Sequence, residues 1–142
     1  MSIQNILDRN RAEVVTISPT DTVKDAADRM QVHNIAALVV KSGAAVGLIS
    51  DREIVHAVSR NGERALHMAV REIVTRPTIT IAPEDTLKRA MSLMTHHRVR
   101  HWPVIADGKL VEMVSIGDVV KHRLEDLETE SNVLRDAYVA AR

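Results

Sequence analysis

The chain lacks cysteine and phenylalanine altogether, and it is poor in the other aromatic residues. It has one tryptophan and one tyrosine among 142 residues. Without cysteine no disulfide framework can form. Without phenylalanine, aliphatic side chains and methionine must build the core. The shortage of aromatic residues also leaves no platform on which nucleic-acid bases could stack.

An excess of charge of one sign and long apolar runs are also missing. The 19 Lys and Arg residues balance the 19 Asp and Glu residues, so the chain has no basic footprint for nucleic-acid phosphates. No apolar run of about 18 residues could span a bilayer, and the N-terminus does not resemble a signal peptide. We therefore expect no nucleic-acid or membrane partner, a cytoplasmic location, and one compact module.

What the chain does contain is an internal repeat. The segment TISPTDTV, Thr16 to Val23, recurs as TIAPEDTL, Thr80 to Leu87. Further on, GLIS, Gly47 to Ser50, corresponds to EMVS, Glu112 to Ser115, after a turn that is one residue longer in the second copy. The sequence therefore predicts two copies of one supersecondary unit.

Each copy has the pattern of a β-α-β-β-α unit, which predicts an α/β (α+β) fold. The first helix of each copy follows a proline and carries apolar residues at i, i+3, i+4 and i+7. Its candidate N-caps are Asp21 or Thr22 and Asp85 or Thr86. The second helices begin at Asp51 and Gly117. The predicted strands are residues 14–17, 35–40 and 45–49, then 78–81, 99–105 and 110–114.

The last helix is longer than its counterpart in the first copy and carries an apolar seam. The seam positions alternate in steps of four and three, which is typical of a coiled coil. They are Val120, Leu124, Leu127, Ser131, Leu134 and Tyr138. Two interpretations stay open: the seam covers its own domain, or it forms a dimer contact.

Three motifs make the sequence resemble the CBS domain family from about Val14 onward. In that family a strand ends in a glycine, two apolar residues, a Ser or Thr, two variable residues and an Asp. Here stand GLISDRE, Gly47 to Glu53, and EMVSIGD, Glu112 to Asp118. The family's middle strand is similar to VRHWPV, Val99 to Val104.

The resemblance implies a pair of CBS repeats related by a pseudo-twofold axis, with an extended C-terminal helix. We place repeat 1 with its N-terminal segment at 1–66, repeat 2 at 67–125, and the C-terminal helix at 126–142. Two clefts between the repeats bind adenosine derivatives in such pairs, and two pairs commonly form a disc. A homodimer through disc packing and the C-terminal helix is expected.

The resemblance also implies a regulatory module rather than an enzyme. We expect no catalytic cofactor. The expected ligand is an adenine nucleotide, AMP first and NAD(H) or ATP as alternatives, and occupancy would signal energy or redox state to an effector protein that the sequence does not name. The predicted nucleotide-binding residues are Thr16, Ala36, Ala37, Ser50, Arg52, Glu53, Thr80, Arg100, His101, Pro103, Ser115 and Asp118.

The acidic residue of each motif is the predicted ribose acceptor, because one carboxylate can accept from both ribose hydroxyls. Asp118 matches the family's Asp, whereas Glu53 has an extra methylene, which predicts a weaker, different or empty cleft. In the family, the acid of one repeat works with the middle strand of the other. The Glu53 cleft would then face Arg100 and His101, and the Asp118 cleft would face the Ala36 and Ala37 pair.

Each of these residues also has a simpler interpretation. Asp118 and Glu53 could only cap helices, and Arg100 could be solvated. Glu112 replaces the family's usual glycine, so strand geometry there should differ. Trp102 is expected to be a core residue, with base stacking as the alternative.

Two other functions compete with the regulatory module. An enzyme would rest on a metal or acid-base site at His96, His97 and His101. A structural dimerisation module would keep the fold while its clefts had decayed, which the Glu53 and Glu112 departures favour.

Overall fold

The computed structural model describes residues 2–9, 14–76 and 79–141. Among these, the chain divides into two compact units, each corresponding mainly to one copy of the repeat. The first unit contains residues 14–76 and Ile79, and the second contains residues 2–9 and 80–141.

The first unit contains the predicted order of elements, and the second unit contains it without a named first strand but with one additional helix at the N-terminus. Two short 3-10 helices, Gly62–His67 and Val70–Glu72, follow the second helix of the first unit. The elements in chain order are α1 (Ile3–Arg9), β1 (Thr16–Ile17), α2 (Val23–His33), β2 (Ala37–Ser42), β3 (Ala44–Ser50), α3 (Asp51–Asn61), α4 (Leu87–His97), β4 (His101–Ala106), β5 (Lys109–Ser115) and α5 (Ile116–Ala140).

Equivalent threonines start the first helix of each copy. Thr22 Oγ1 accepts from the Asp25 amide at 3.1 Å, and Thr86 Oγ1 accepts from the Arg89 amide at 3.0 Å. Of the two N-cap candidates in each copy, the threonine is therefore the cap, because its hydroxyl satisfies an amide that the helix leaves unpaired.

Each unit has a small sheet in which a hairpin forms the main part. In the first unit β1 pairs with β2 in parallel, and β2 pairs with β3 in antiparallel fashion. In the second unit β4 pairs with β5 in antiparallel fashion, and Ile81 makes a single parallel bridge to Val104. The predicted strand 78–81 is thus reduced to that bridge among the described residues, and Thr78 lies outside them.

Helix α1 belongs to the core of the second unit, which the sequence analysis did not predict. Ile3 and Ile6 are fully buried and cluster with Leu87, Met94 and Trp102. Conversely, Val70 lies in the core of the first unit with Leu38 and Ile49.

The compact units therefore differ from the sequence-based boundaries. The N-terminal segment, grouped with the first copy from sequence, joins the second, and residues 67–76 stay with the first. The division follows the burial of Ile3 and Ile6 in the core of the second unit and of Val70 in the core of the first. Buried apolar side chains stabilise the unit in which they are removed from water. The boundary drawn at residue 126 falls inside α5, which is one continuous helix of 25 residues.

The seam of α5 does not cover its own domain. Val119 and His122 are the buried residues of this helix, whereas Leu124 is 55% exposed and Leu134 is 71% exposed. In the described ranges no helix has both the length and the apolar character needed to cross a bilayer.

Candidate functional site

The acidic motif of the second unit lies where β5 passes into α5. Ser115 is the N-cap of α5, and its Oγ accepts from the Asp118 amide at 3.1 Å. The Ser115 amide donates to Asp118 Oδ2 at 3.3 Å. Among the described residues, the other carboxylate oxygen of Asp118 has no hydrogen-bond partner. Asp118 thus caps its helix with one oxygen and retains the second for another donor.

The matching motif of the first unit uses its carboxylate differently. The Ser50 amide donates to Glu53 Oε2 at 2.8 Å, and the Ser50 hydroxyl donates to the same oxygen. Thr75 Oγ1 donates to Glu53 Oε1 at 2.9 Å. Both carboxylate oxygens of Glu53 therefore already accept hydrogen bonds within the unit.

Thr75 was missed by the sequence analysis. It lies 22 residues from Glu53 in a segment without periodicity, so no local pattern in the chain pointed to it. The amide and carbonyl of Thr75 also exchange hydrogen bonds of 2.8 Å with those of Leu48. The segment that follows the first copy therefore pairs with the edge of β3 through backbone hydrogen bonds.

This close pairing of Thr75 with β3 requires a glycine at position 47. A Cβ built on Gly47 would lie 2.4 Å from the Thr75 carbonyl oxygen and 2.7 Å from Val74 Cγ2. In the second copy the matching position is Glu112, which is half-buried opposite Val104. The expectation that strand geometry differs at Glu112 stays a prediction.

The first residues of the middle strands lie beside the motif of their own unit. The Ala36 carbonyl accepts from the Asp51 amide at 3.0 Å, and Ala37 pairs with Ser50. Likewise, the Arg100 carbonyl accepts from the Ile116 amide at 2.7 Å, and His101 pairs with Ser115. Each unit thus brings together the strand start, the serine and the acid. The predicted pairing of each acid with the other copy's strand stays a prediction.

The remaining predicted residues are not part of the hydrogen bonds around Ser50 and Ser115 described above. Thr16 is half-buried in β1, and its carbonyl accepts from Arg29 Nη1 at 2.7 Å. Arg52 is exposed on α3, Thr80 is exposed outside any named strand, and Pro103 is buried in β4. Their role in binding stays a prediction.

Trp102 is a core residue, as expected, since it is 4% exposed and belongs to the apolar cluster of the second unit. The His97 ring meets it edge-on, with centroids 5.4 Å apart. His96 and His97 also meet edge-on, at 5.1 Å. Within the described part of the chain, His, Cys, Asp and Glu side chains form no group of three or more that could hold a metal ion.

The similarity of the chain to known proteins accounts for the duplicated motif. A model of the CBS domain family matches residues 5–60 and again residues 70–125. The chain belongs to the CBS domain family. It carries two CBS domains in tandem, and its mixed helix and strand architecture is the α+β fold of CBS pairs.

Relatives and solved CBS structures resemble the chain over most of its length. The mitochondrial CBS domain-containing protein CBSX3 of Arabidopsis thaliana is 41% identical over 125 residues, covering 84% of this chain. The chain spans only 60% of the length of that relative. A crystal structure of a CBS-domain containing protein from Agrobacterium tumefaciens has a TM-score of 0.83 and 34% identity, and covers 87% of this chain and 99% of that one.

A CBS domain protein from Pyrobaculum aerophilum shares the fold and was solved in complex with AMP. It has a TM-score of 0.73 and 24% identity, covering 83% of this chain and 89% of that one.

Proposed function

We propose that this CBS pair is a non-catalytic regulatory module that binds an adenine nucleotide, with AMP as its first ligand. The observation that carries the proposal is the difference between the two acids. Asp118 has a carboxylate oxygen left over, and Glu53 has both oxygens engaged. The AMP complex of the Pyrobaculum relative supports the choice of ligand.

Asp118 is suited to hold a ribose because it is an anion in the first turn of α5. The positive end of the helix dipole favours a negative charge there. One ionised oxygen can accept hydrogen bonds from vicinal hydroxyls, and such charge-assisted bonds are about twice as strong as neutral ones. The hydrogen bond of 3.3 Å from the Ser115 amide holds the Asp118 side chain in place before the ligand arrives.

Neighbouring groups can complete the recognition. The Ser115 hydroxyl accepts from the Asp118 amide and so keeps its own proton for a ligand oxygen. Exposed Gly117 leaves the helix start uncovered by a side chain. Arg100 and His101 stay the proposed phosphate contacts of the Glu53 cleft, whereas the Asp118 cleft would face Ala36 and Ala37. ATP and NAD(H) are the alternative ligands, since they present the same adenosine.

The first copy is expected to bind more weakly. A ligand at Glu53 would have to compete for an oxygen that already accepts from Thr75 or Ser50, whereas Asp118 offers an oxygen without a hydrogen bond among the described residues. We therefore propose one strong site that depends on Asp118. The predicted homodimer, and an effector protein that responds to energy or redox state, complete the proposed regulatory role.

The competing function is a structural module without a ligand. It is favoured by Glu53, whose hydrogen bonds join two segments of the first unit without any ligand. Under that alternative the unused oxygen of Asp118 would simply face solvent.

Calorimetric titration with AMP, ADP, ATP, NAD, NADH and S-adenosylmethionine separates the two functions. Asp118→Asn keeps an oxygen for the Ser115 amide but removes the charge, and should weaken binding about 10- to 100-fold. The matched control is Asp136→Asn, an exposed acid on the same helix, which should not change the Kd. Absence of heat with every compound would leave the structural module.

A further inference from the structure

The C-terminal half of α5 is a helix without a buried face. Every residue from Leu127 to Ala141 is exposed. Isolated helices of about 12 to 15 residues are marginal in water, since most helical stability in proteins comes from packing an apolar face. A helix of this kind requires a partner for its apolar residues.

Three leucines of α5 share one side of the helix, whereas the exposed residues Val133 and Val139 lie on other sides. Leu124 and Leu127 are 55% and 44% exposed, and Leu134 is 71% exposed. At 3.6 residues per turn, the seam lies roughly a third of a turn from the face with Val119 and His122 that packs on the second unit. The seam is therefore available while α5 keeps its own packing.

The spacing of the seam assigns heptad positions. Leu124, Ser131 and Tyr138 occupy the a positions, and Val120, Leu127 and Leu134 occupy the d positions. Charged residues flank the seam, with Arg123 and Glu130 at g positions. Lys121, Glu128 and Arg135 occupy the e positions.

Resting on the homodimer that forms part of the proposed function, we propose that α5 forms a parallel two-stranded coiled coil with α5 of a second copy of this chain. In a parallel pair, each g residue faces the e residue five positions later on the other helix. Arg123 then faces Glu128, and Glu130 faces Arg135. Both flanking pairs are attractive, and each occurs twice in the dimer.

An antiparallel pair of α5 helices would instead bring residues of like charge opposite each other. Aligning the seam with Leu124 opposite Leu134 brings e residues against e residues, and g residues against g residues. Glu128 then faces Glu128 of the second copy, Glu130 faces Glu130, and Lys121 faces Arg135. The same apolar seam therefore selects the parallel orientation through its charges.

Arg123 already has a partner in its own helix, because its Nη1 lies 4.0 Å from Asp126 Oδ2. Its contact with Glu128 would be shared with that ion pair. Glu130 and Arg135 are both exposed. The pair of Glu130 with Arg135 therefore contributes more to the preference for the parallel orientation than the pair of Arg123 with Glu128.

Cysteine cross-linking tests the arrangement directly, because the natural chain contains no cysteine. Ser131→Cys replaces one oxygen by sulfur at an a position, which faces its own equivalent only in the parallel pair. Thr129→Cys, two residues away on the outer side, is the matched control. Mild oxidation of the full-length variants should yield covalent dimer from Ser131→Cys and little from the control. Equal yields, or none from Ser131→Cys, would overturn the proposal.

Charge reversal in the Ser131→Cys background tests the orientation through a second readout. Glu130→Lys should lower the cross-linking yield about threefold or more, because it opposes Arg135. Adding Arg135→Glu should restore the yield. An antiparallel pair would show no restoration, because Glu130 and Arg135 do not face each other there. Circular dichroism checks that the variants remain helical.

Discussion

The Thr75 hydroxyl donates to Glu53 Oε1 across 2.9 Å and so joins the segment after the first CBS domain to the start of α3. The two residues are 22 positions apart. The contact gives the glutamate at this position a structural role, and its extra methylene supplies the reach that an aspartate would lack.

Removing the hydroxyl should therefore weaken the first CBS domain. We expect Thr75→Val to lower the free energy of unfolding by about 1 kcal/mol, the usual net value of such a hydrogen bond. Thr75→Ser keeps the donor and should retain most of the stability. Urea unfolding of the three proteins measures the difference, and equal losses in both variants would show that the hydroxyl is not what matters.

Gly47 should tolerate no side chain, because a Cβ would meet the Thr75 carbonyl oxygen at 2.4 Å. Gly47→Ala should cost about 1 to 3 kcal/mol, as overpacking does. Gly117→Ala is the control, since its Cβ would meet only Ser115 Oγ, at 3.6 Å. That variant should be neutral or stabilised by up to about 1 kcal/mol. The midpoints of urea unfolding provide the comparison.

Local signals in the sequence predicted the repeated elements well. The threonine caps, the two adjacent strands of each copy and the Ser115 motif depend on residues a few positions apart, and so leave a pattern in the chain. The burial of Ile3 and Ile6 against Leu87 does not, because it depends on contacts distant in sequence. The engagement of Glu53 by Thr75 was hidden for the same reason.

The contribution of α1 should be measurable by truncating one of its buried residues. Ile6 is fully buried in the core of the second unit. Ile6→Ala should lower the free energy of unfolding by about 2 to 5 kcal/mol, through lost burial and the cavity that remains. Val32→Ala, at a position 79% exposed on α2, should change it by less than about 0.5 kcal/mol. A small effect at Ile6 in denaturant unfolding would contradict the placement of α1.

The ion pair between α1 and α5 should make the free energy of unfolding depend on pH in the acidic range. Arg9 Nη1 lies 2.6 Å from Glu125 Oε2, and its hydrogen bond lowers the pKa of Glu125 below the usual value. A depressed carboxyl pKa stabilises the fold above the pKa of the unfolded chain, and this contribution is lost as pH falls through the folded value. Both groups are well exposed, so the effect should be modest and should shrink in salt.

Arg9→Gln removes the cation and should return the pKa of Glu125 toward its ordinary range. The difference in unfolding free energy between wild type and Arg9→Gln should then be largest at neutral pH and decline below pH about 4. Lys24→Gln, which breaks the exposed pair with Asp28 within one helix, is a control that should leave the Glu125 titration unchanged. NMR titration of the Glu125 carboxyl measures the shift. Among the described residues, Arg9 is the cation closest to the Glu125 carboxylate, and His122 lies farther away at 3.7 Å. An unchanged Glu125 pKa in Arg9→Gln would therefore show that the ion pair does not form in solution.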